Sequence, residues 1–327
     1  MKAIVTGISG QDGHYAARHL LARGFAVTGL TSDPDKIAGV QAEFGDQPVT
    51  IESFDYAAPR AIEAVIERVR PAVILNYAAK STGTGMFDRA FEMARLNGGF
   101  VLDILEAIRA IDPTIGFCQA SSAEMYGHVD TSPQDERTCF RPKSPYGAAK
   151  LYAHNLIGTY RNAYGLKCSS AILYNHESVR RTTHFVTRKI ARAAAEISLA
   201  RAASFSLGGL DALRDWGYAP EYAEAMVLMA LSDKPADYVL ATGTLTSVEQ
   251  VCRICFEHVG LDFRDYLVID PALQRPIETT NVCGDPSAIA RDLGWRATTG
   301  IQDILVEMVD FDLQTLRGAP ALGHTTC

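Results

Sequence analysis

The sequence predicts an α/β fold: a doubly wound parallel sheet covered by helices on both faces, joined to a second, smaller α/β domain. Three observations carry this expectation. Short apolar runs alternate with helical patterns through the first half of the chain, the order that sets parallel strands side by side with crossover helices between them. A glycine-rich turn stands directly after the first apolar run. The chain of 327 residues, 47% of them hydrophobic, exceeds what one core usually fills, so two lobes are expected.

Lys2 to Thr6 reads as the first strand, followed by Gly7-Ile-Ser-Gly10-Gln11-Asp12-Gly13 and a helical run ending at Gly24. Glycines at this spacing let the backbone turn tightly and approach a pyrophosphate at the helix N-terminus, the dinucleotide-binding (Rossmann) arrangement. A plain turn is the alternative. Ala26 to Leu30 reads as the second strand and ends in Thr31-Ser32-Asp33. An acid at that point suits a free ribose 2′-hydroxyl and an arginine a 2′-phosphate, so Asp33, about 20 residues past the glycine turn, favours NAD over NADP. The competing role for Asp33 is a loop cap. Further strands are read at Val49 to Phe54, Ala72 to Asn76 and Ile115 to Gln119, with helices at Pro59 to Val69 and Phe87 to Ala110.

Ligands of such a sheet lie over the carboxyl ends of its strands. That puts Asp55 and Tyr56, after the third strand, and Ala78 and Lys80, after the fourth, at the cofactor edge. Asn97 is polar where an apolar stripe is expected, which leaves a buried bridge and a solvated face equally open. The first domain is placed at residues 1–173, with a strand at 237–241 returning to its sheet, and the second, substrate-binding domain mainly at 174–316. Helices are read at Ala193 to Leu199, Glu221 to Leu231 and Ile301 to Leu316. Residues 317–327, rich in Gly, Pro, Ala and Thr, read as a disordered tail.

Composition excludes several classes. A formal charge of −7 without basic clusters argues against nucleic acid as a partner. No apolar run approaches the roughly 18 residues of a membrane span, and Met1 leads straight into a strand rather than a signal peptide, so a soluble cytoplasmic protein without membrane partners is expected. Seven scattered cysteines suit reduced thiols. Cys252 and Cys255 form a C-x-x-C, but within a helical pattern from Val248 to Val259, where core packing is the reading and no metal is expected. His154 and Trp216 are read as packing residues.

The chemistry gathers between Gln119 and Lys150. Gln119-Ala-Ser-Ser122-Ala-Glu124-Met-Tyr-Gly127 precedes Ser144-Pro-Tyr146-Gly-Ala-Ala-Lys150. Tyr146 and Lys150, four apart on a helix, project from one face. An ammonium beside a phenol favours phenolate, so a Tyr of reference pKa about 10 gains use as a base near neutrality. Ser122 and Glu124 add a hydroxyl and a second proton carrier, more than a simple alcohol dehydrogenase needs. A surface Glu beside a turn is the competing explanation for Glu124.

Taken together, Thr-Gly-x-x-Gly-x-x-Gly, Asn76-x-Ala-Ala, Ser-Ser-x-Glu-x-Tyr-Gly and Tyr-x-x-x-Lys resemble the extended short-chain dehydrogenase/reductase family of nucleotide-sugar enzymes. Asn175-His-Glu-Ser178-Val-Arg-Arg181, Phe185-Val-Thr-Arg-Lys-Ile190, Leu210-Asp-Ala-Leu-Arg-Asp-Trp-Gly217, Arg275-Pro-Ile-Glu278 and Gly284-Asp-Pro286 narrow the resemblance to the GDP-mannose 4,6-dehydratases, over Lys2 to Asp312. It implies oxidation at C4 of a GDP-sugar, loss of water across C5 and C6, and return of the hydride to C6. Tyr146 is then the C4 base, Lys150 its pKa-lowering partner and ribose contact, Ser122 a donor to the reacting oxygen, and Glu124 the acid/base for water loss. Gly7, Gly10, Gln11, Asp12 and Gly13, with Tyr146 and Lys150, would meet NAD or NADP. Asn175, Lys189, Arg214, Arg275 and Glu278 would hold the substrate nucleotide, whose diphosphate needs forked donors from separate segments. A 4-reductase or epimerase of the same fold is the alternative activity.

Departures from the family pattern matter. Thr31-Ser-Asp-Pro-Asp35 replaces an Arg-Arg pair that grips the cofactor phosphate and builds a tetramer, which leaves a homodimer as the expected assembly. Lys80 replaces a common Gln, and Thr82-Gly-Thr-Gly-Met86 is unusual beside the hexose pocket, where a heptose or a modified hexose becomes conceivable as substrate.

Overall fold

The computed structural model describes residues 1–80, 87–273 and 282–318. In chain order the first part runs β1 (Lys2–Thr6), α1 (Gln11–Ala22), β2 (Ala26–Thr31), α2 (Ile37–Phe44), β3 (Val49–Ser53), α3 (Ala61–Val69), β4 (Val73–Asn76), α4 (Ala90–Ala94), α5 (Phe100–Ile111), β5 (Gly116–Ala120), α6 (Pro145–Tyr164) and β6 (Cys168–Leu173). The remainder is β7 (Asn175–Glu177), α7 (Val186–Ser198), β8 (Phe205–Leu207), β9 (Leu213–Tyr218), α8 (Ala219–Leu231), β10 (Tyr238–Leu240), β11 (Leu245–Ser247), α9 (Val248–His258), β12 (Leu267–Ile269), α10 (Ser287–Leu293) and α11 (Ile301–Arg317).

Seven strands form one sheet in the order β10-β6-β5-β4-β1-β2-β3, every neighbouring pair parallel. Both faces are covered, which is why β1 and β4 are apolar along their length rather than alternating. On one face Leu20 of α1 and Tyr222 and Met226 of α8 pack over Ala3, Val5 and Leu75. On the other, Ile62, Val65, Ile66 and Val69, spaced as one stripe of α3, join Ile104 and Leu105 of α5 over Ile4 and Ile74. The strand order reverses between β1 and β4, the point where open α/β sheets bind ligands.

Beyond β6 the chain builds a three-stranded sheet, β11-β9-β7, and a two-stranded one, β12-β8. α7, α9 and α11 close a separate core around Trp216, Ile190, Phe256 and Met308. Cys252 and Cys255 are free thiols buried there. Asp312, fully buried on the inner stripe of α11, pairs with Arg188 of α7, whose Nη2 lies 2.7 Å from Asp312 Oδ1.

Several expectations are corrected. The helix read at Phe87 to Ala110 is α4, a π-helical turn at Arg95–Gly99, and α5. Asn97 in that turn is 1% exposed; its side chain accepts from the Lys80 amide (3.1 Å) and donates to the Lys80 carbonyl (3.2 Å), a buried bridge. α2 and the two small sheets were not foreseen. α7 begins at Val186 rather than Ala193, and Arg317 ends α11 with Gly318 as its C-cap rather than opening a tail. Positions 319–327, Thr82 to Met86, Arg275 and Glu278 lie outside the described residues. Among the described residues no helix is long and apolar enough to cross a membrane.

Candidate active site

A polar ladder underlies the switch point. Asn76, at the end of β4 and fully buried, bonds Thr6 Oγ1 on one side and donates to Gln119 Oε1 (2.6 Å) on the other. Thr6 Oγ1 in turn accepts from the amides of Tyr77 (3.1 Å) and Ala78 (3.0 Å). Satisfied networks of this kind hold strand ends rigidly, because every member left unpaired in a dry interior is costly.

Above the ladder, the glycine turn enters α1. A Cβ on Gly13 would stand 2.4 Å from the carbonyl oxygen of Gly7, so only glycine permits this packing of turn on helix. α1 opens at Gly10 with no side chain capping its first amides. Free amides at the positive end of a 12-residue helix make an anion site. Tyr56 supports the turn from beneath, accepting from the Gly7 amide (3.0 Å) and donating to the Leu30 carbonyl (2.8 Å).

The catalytic candidates converge from two segments. Ser122 caps a 3-10 turn, its Oγ accepting from the Glu124 amide at 3.1 Å. Ser144 caps α6 by accepting from the Gly147 amide at 3.0 Å, and Pro145 occupies the first turn. A Cβ on Gly147 would fall 2.6 Å from the Glu124 carbonyl, so this glycine sets Tyr146 close beside the Glu124 turn. Lys150 is 1% exposed and donates to the Ala120 carbonyl at 2.6 Å; its Nζ lies 5.7 Å from the Tyr146 ring centroid. His154, one turn on, meets Ser170 Oγ at 2.8 Å as a packing residue.

Gly7, Gly10, Gln11, Asp12, Gly13, Ser122, Glu124, Tyr146 and Lys150 line one cavity of about 390 Å³, which Asn175 and Arg214 also reach. Tyr56 and Ala78 are buried and do not line it. Asp33 caps a 3-10 turn, accepting from the Asp35 amide (3.2 Å) and pairing with Lys36 (3.2 Å). Exposed Asp55 likewise caps its own turn through the Ala57 amide (2.8 Å), and Lys80 pairs with Glu92 (2.9 Å). Lys189 lies on α7 outside the cavity lining.

Electrostatics corrects one expectation. Lys150 does not by itself make the phenol acidic: burial pushes Tyr146 up to about 12, opposed by a hydrogen bond with Ser122, and burial brings Lys150 down to about 7. Spacing put the two side chains together, and desolvation reversed the sign of the result.

Sequence reasoning missed a second cluster on the same wall. His176 Nε2 lies 3.1 Å from Asp12 Oδ1, and its Nδ1 meets the Tyr174 carbonyl at 2.6 Å. Burial opposes charge on His176, but Asp12 outweighs it and raises the imidazole; burial would raise Asp12, and His176 instead holds it low. Glu177, raised by burial, pairs with Arg181 at 3.2 Å. The available signal was a row of polar residues from Asn175 to Arg181 in which only Asn175 was assigned a role.

A sheet with a glycine turn at its switch point, and a Tyr-x-x-x-Lys helix packed against the strand next to it, defines the extended short-chain dehydrogenase/reductase class. Residues 4–308 match the family described as GDP-mannose 4,6 dehydratase. The chain is 38% identical to the GDP-mannose 4,6-dehydratase of Sinorhizobium fredii (strain HH103), over 97% of each chain. It is 36% identical to the GDP-mannose 4,6 dehydratase of Homo sapiens, over 97% of this chain and 93% of that one. Its fold is similar to that of the Thermus thermophilus UDP-glucose 4-epimerase solved with NAD, with a TM-score of 0.83 at 24% identity, covering 98% of this chain and 100% of the other. This chain belongs to the GDP-mannose 4,6-dehydratase family.

Proposed function

We propose that the protein is a hydro-lyase that converts GDP-mannose, or a closely related GDP-sugar, to its 4-keto-6-deoxy form around a retained nicotinamide dinucleotide. The uncapped amides of α1 and the Gly7–Gly13 packing fit a pyrophosphate, and the cavity they line continues to Tyr146 and Glu124. A bound dinucleotide would supply the hydride acceptor that side chains lack, and its oxidised form a positive charge to favour ionisation of a phenol that burial keeps protonated. Tyr146 takes the proton of the C4 hydroxyl. Ser122 donates to the same oxygen, and Lys150 orients the pair. The C4 ketone acidifies C5; Glu124 removes that proton and returns one to the departing C6 hydroxyl, the hydride taken from C4 would go back to C6, and C5 would regain the proton held by Tyr146, so the sum is loss of one water.

NAD is favoured over NADP, because Thr31 to Asp35 offers no arginine for a 2′-phosphate and the neighbouring Lys36 is paired with Asp33. A cytoplasmic homodimer belongs to the same reading. Phe91, 94% exposed on α4, and Tyr152, half-exposed on α6, give an aromatic face suited to a second copy; a monomer in sedimentation would sink that part.

The observation that carries the proposal is Glu124 lining the same cavity as Tyr146 and Lys150, near enough for its charge to act on the phenol, a proton carrier that an epimerase or 4-reductase does not need. Wild-type protein is incubated with GDP-, CDP-, UDP- and dTDP-sugars, with mass spectrometry reading loss of water; turnover of a GDP-sugar is expected. Glu124→Gln should lower that turnover about 10²- to 10⁴-fold, the usual worth of a general acid/base, with dinucleotide binding intact. Water loss within tenfold of wild type would remove Glu124 from the mechanism.

A further inference from the structure

The chain leaving β7 is fastened to the cofactor side of the molecule at two places. The inner fastening is partly buried. Gln11 Nε2 donates to the His176 carbonyl (3.1 Å), Ser178 Oγ donates to Gln11 Oε1 (2.8 Å), and His176 meets Asp12. These contacts engage the first turn of α1, whose amides would take the pyrophosphate.

The outer fastening involves residues to which no role has been given. Arg180 lines the cavity, and its Nη1 lies 2.8 Å from Glu43 Oε2, with Nη2 3.4 Å from Glu43 Oε1. Glu43 stands near the end of α2, so the pair spans from the small sheet to the main one. Its carboxylate is itself held: Oε2 lies 3.1 Å from Nδ1 of buried His14, while His14 Nε2 accepts from Arg18 Nε at 2.8 Å. Because Nε2 is the acceptor, the imidazole proton sits on Nδ1, the ring nitrogen that lies 3.1 Å from Glu43 Oε2. Two side chains of α1 thus lock an acid on α2, and that acid holds a guanidinium on the cavity wall. A forked arginine–carboxylate pair keeps its geometry better than a lysine pair would.

We propose that Glu43 is a positioning residue: it pins Arg180, and with it the segment after β7, across the start of α1, and this tether slows escape of the dinucleotide from its site. The inference rests on the reading of the cavity as a dinucleotide site. It locates part of the retention outside the groups that touch the cofactor.

The test loads the full-length protein with a fluorescent etheno-NAD analogue and follows its release after excess NAD is added. Glu43→Gln should speed release roughly tenfold, the worth of one charge-assisted, partly exposed pair. Arg180→Gln should do the same, the double variant should add nothing further, and Arg180→Lys, which keeps the charge and loses the fork, should recover only part of the slow release. Higher ionic strength should speed release from wild type and not from Glu43→Gln. Thermal unfolding of each variant separates a tether from a folding defect. Equal release rates for wild type and Glu43→Gln, or additive effects in the double variant, would overturn the tether while leaving the dinucleotide reading intact. A wild-type protein that binds neither NAD nor NADP would overturn both.

Discussion

Lys150→Met should make the dinucleotide-free protein more stable while removing its activity. Lys150 is 1% exposed, and burial holds its folded pKa at about 7 against an unfolded value of 10.5. Below pH 7 the ammonium stays charged in a dry environment, and the folded state bears the whole of that difference, roughly 5 kcal/mol at 1.36 per pKa unit. Between pH 7 and 10.5 the unfolded chain binds the proton that the folded one has released, so stability rises with pH and the cost fades. A methionine of similar length has no charge to desolvate, and it forfeits one hydrogen bond to Ala120, worth about 1 kcal/mol. The net gain at pH 7 is therefore on the order of 3 kcal/mol. Urea unfolding at pH 7 and at pH 9.5, below the range where Tyr146 titrates, reads this directly. Buried thiols such as Cys168 and Cys252, raised by desolvation, cost both proteins stability over that interval, so the reading is the difference between wild type and variant, which should shrink. A wild type at least as stable as Lys150→Met at pH 7, or a difference between the two that stays constant over the interval, would refute the assignment of Lys150 as a group kept at the expense of stability.

Two further perturbations follow from packing. Gly13→Ala sets a methyl against the Gly7 carbonyl, and an overpacked turn of this kind costs about 1–3 kcal/mol. Calorimetric titration should show NAD affinity falling roughly 10- to 100-fold; unchanged affinity would mean that the turn does not hold the pyrophosphate. Asp312→Ala strands the Arg188 guanidinium in the core of α7, α9 and α11, and breaking a buried pair from one side costs about 3–5 kcal/mol. The unfolding midpoint should drop accordingly, while a shift below about 1 kcal/mol would show the arginine finding water or another partner.

The strands of the main sheet were legible because buried parallel strands leave short apolar runs, and the glycine turn because its backbone admits no side chain. The π-helical turn at Arg95–Gly99 leaves no such mark: one extra residue shifts the stripe without breaking it, and Asn97 looks misplaced until Lys80 is seen to need it. β7, β8 and β11, three residues each, are too short for any periodicity to register. Within the site, Tyr146 and Lys150 were readable from spacing. The Asp12–His176 pair was not, since its members stand far apart in the chain and only the crossing of β7 over α1 brings them together. The electrostatic outcome was least legible of all. Adjacency sets which charges meet, whereas burial, which depends on the whole fold, decides which of them survive.

That last point bears on how the site works. With Tyr146 raised to about 12 and Lys150 lowered to about 7, both groups lean towards their neutral forms, and a neutral phenol is a poor base. Placing both in water would ease ionisation but would let water compete for the sugar hydroxyls and weaken each directed hydrogen bond. Burial keeps the geometry and gives up the charge. In the proposed mechanism Tyr146 then becomes competent as a base only when positive charge enters beside it, and the uncapped start of α1, fastened beneath the segment after β7, is where the ligand carrying that charge would be held. On the proposed mechanism, activation of Tyr146 and retention of the dinucleotide are then one problem, which fits the gathering of Gln11, Asp12 and Arg180 on the cavity lining, with Glu43 holding Arg180 from outside it.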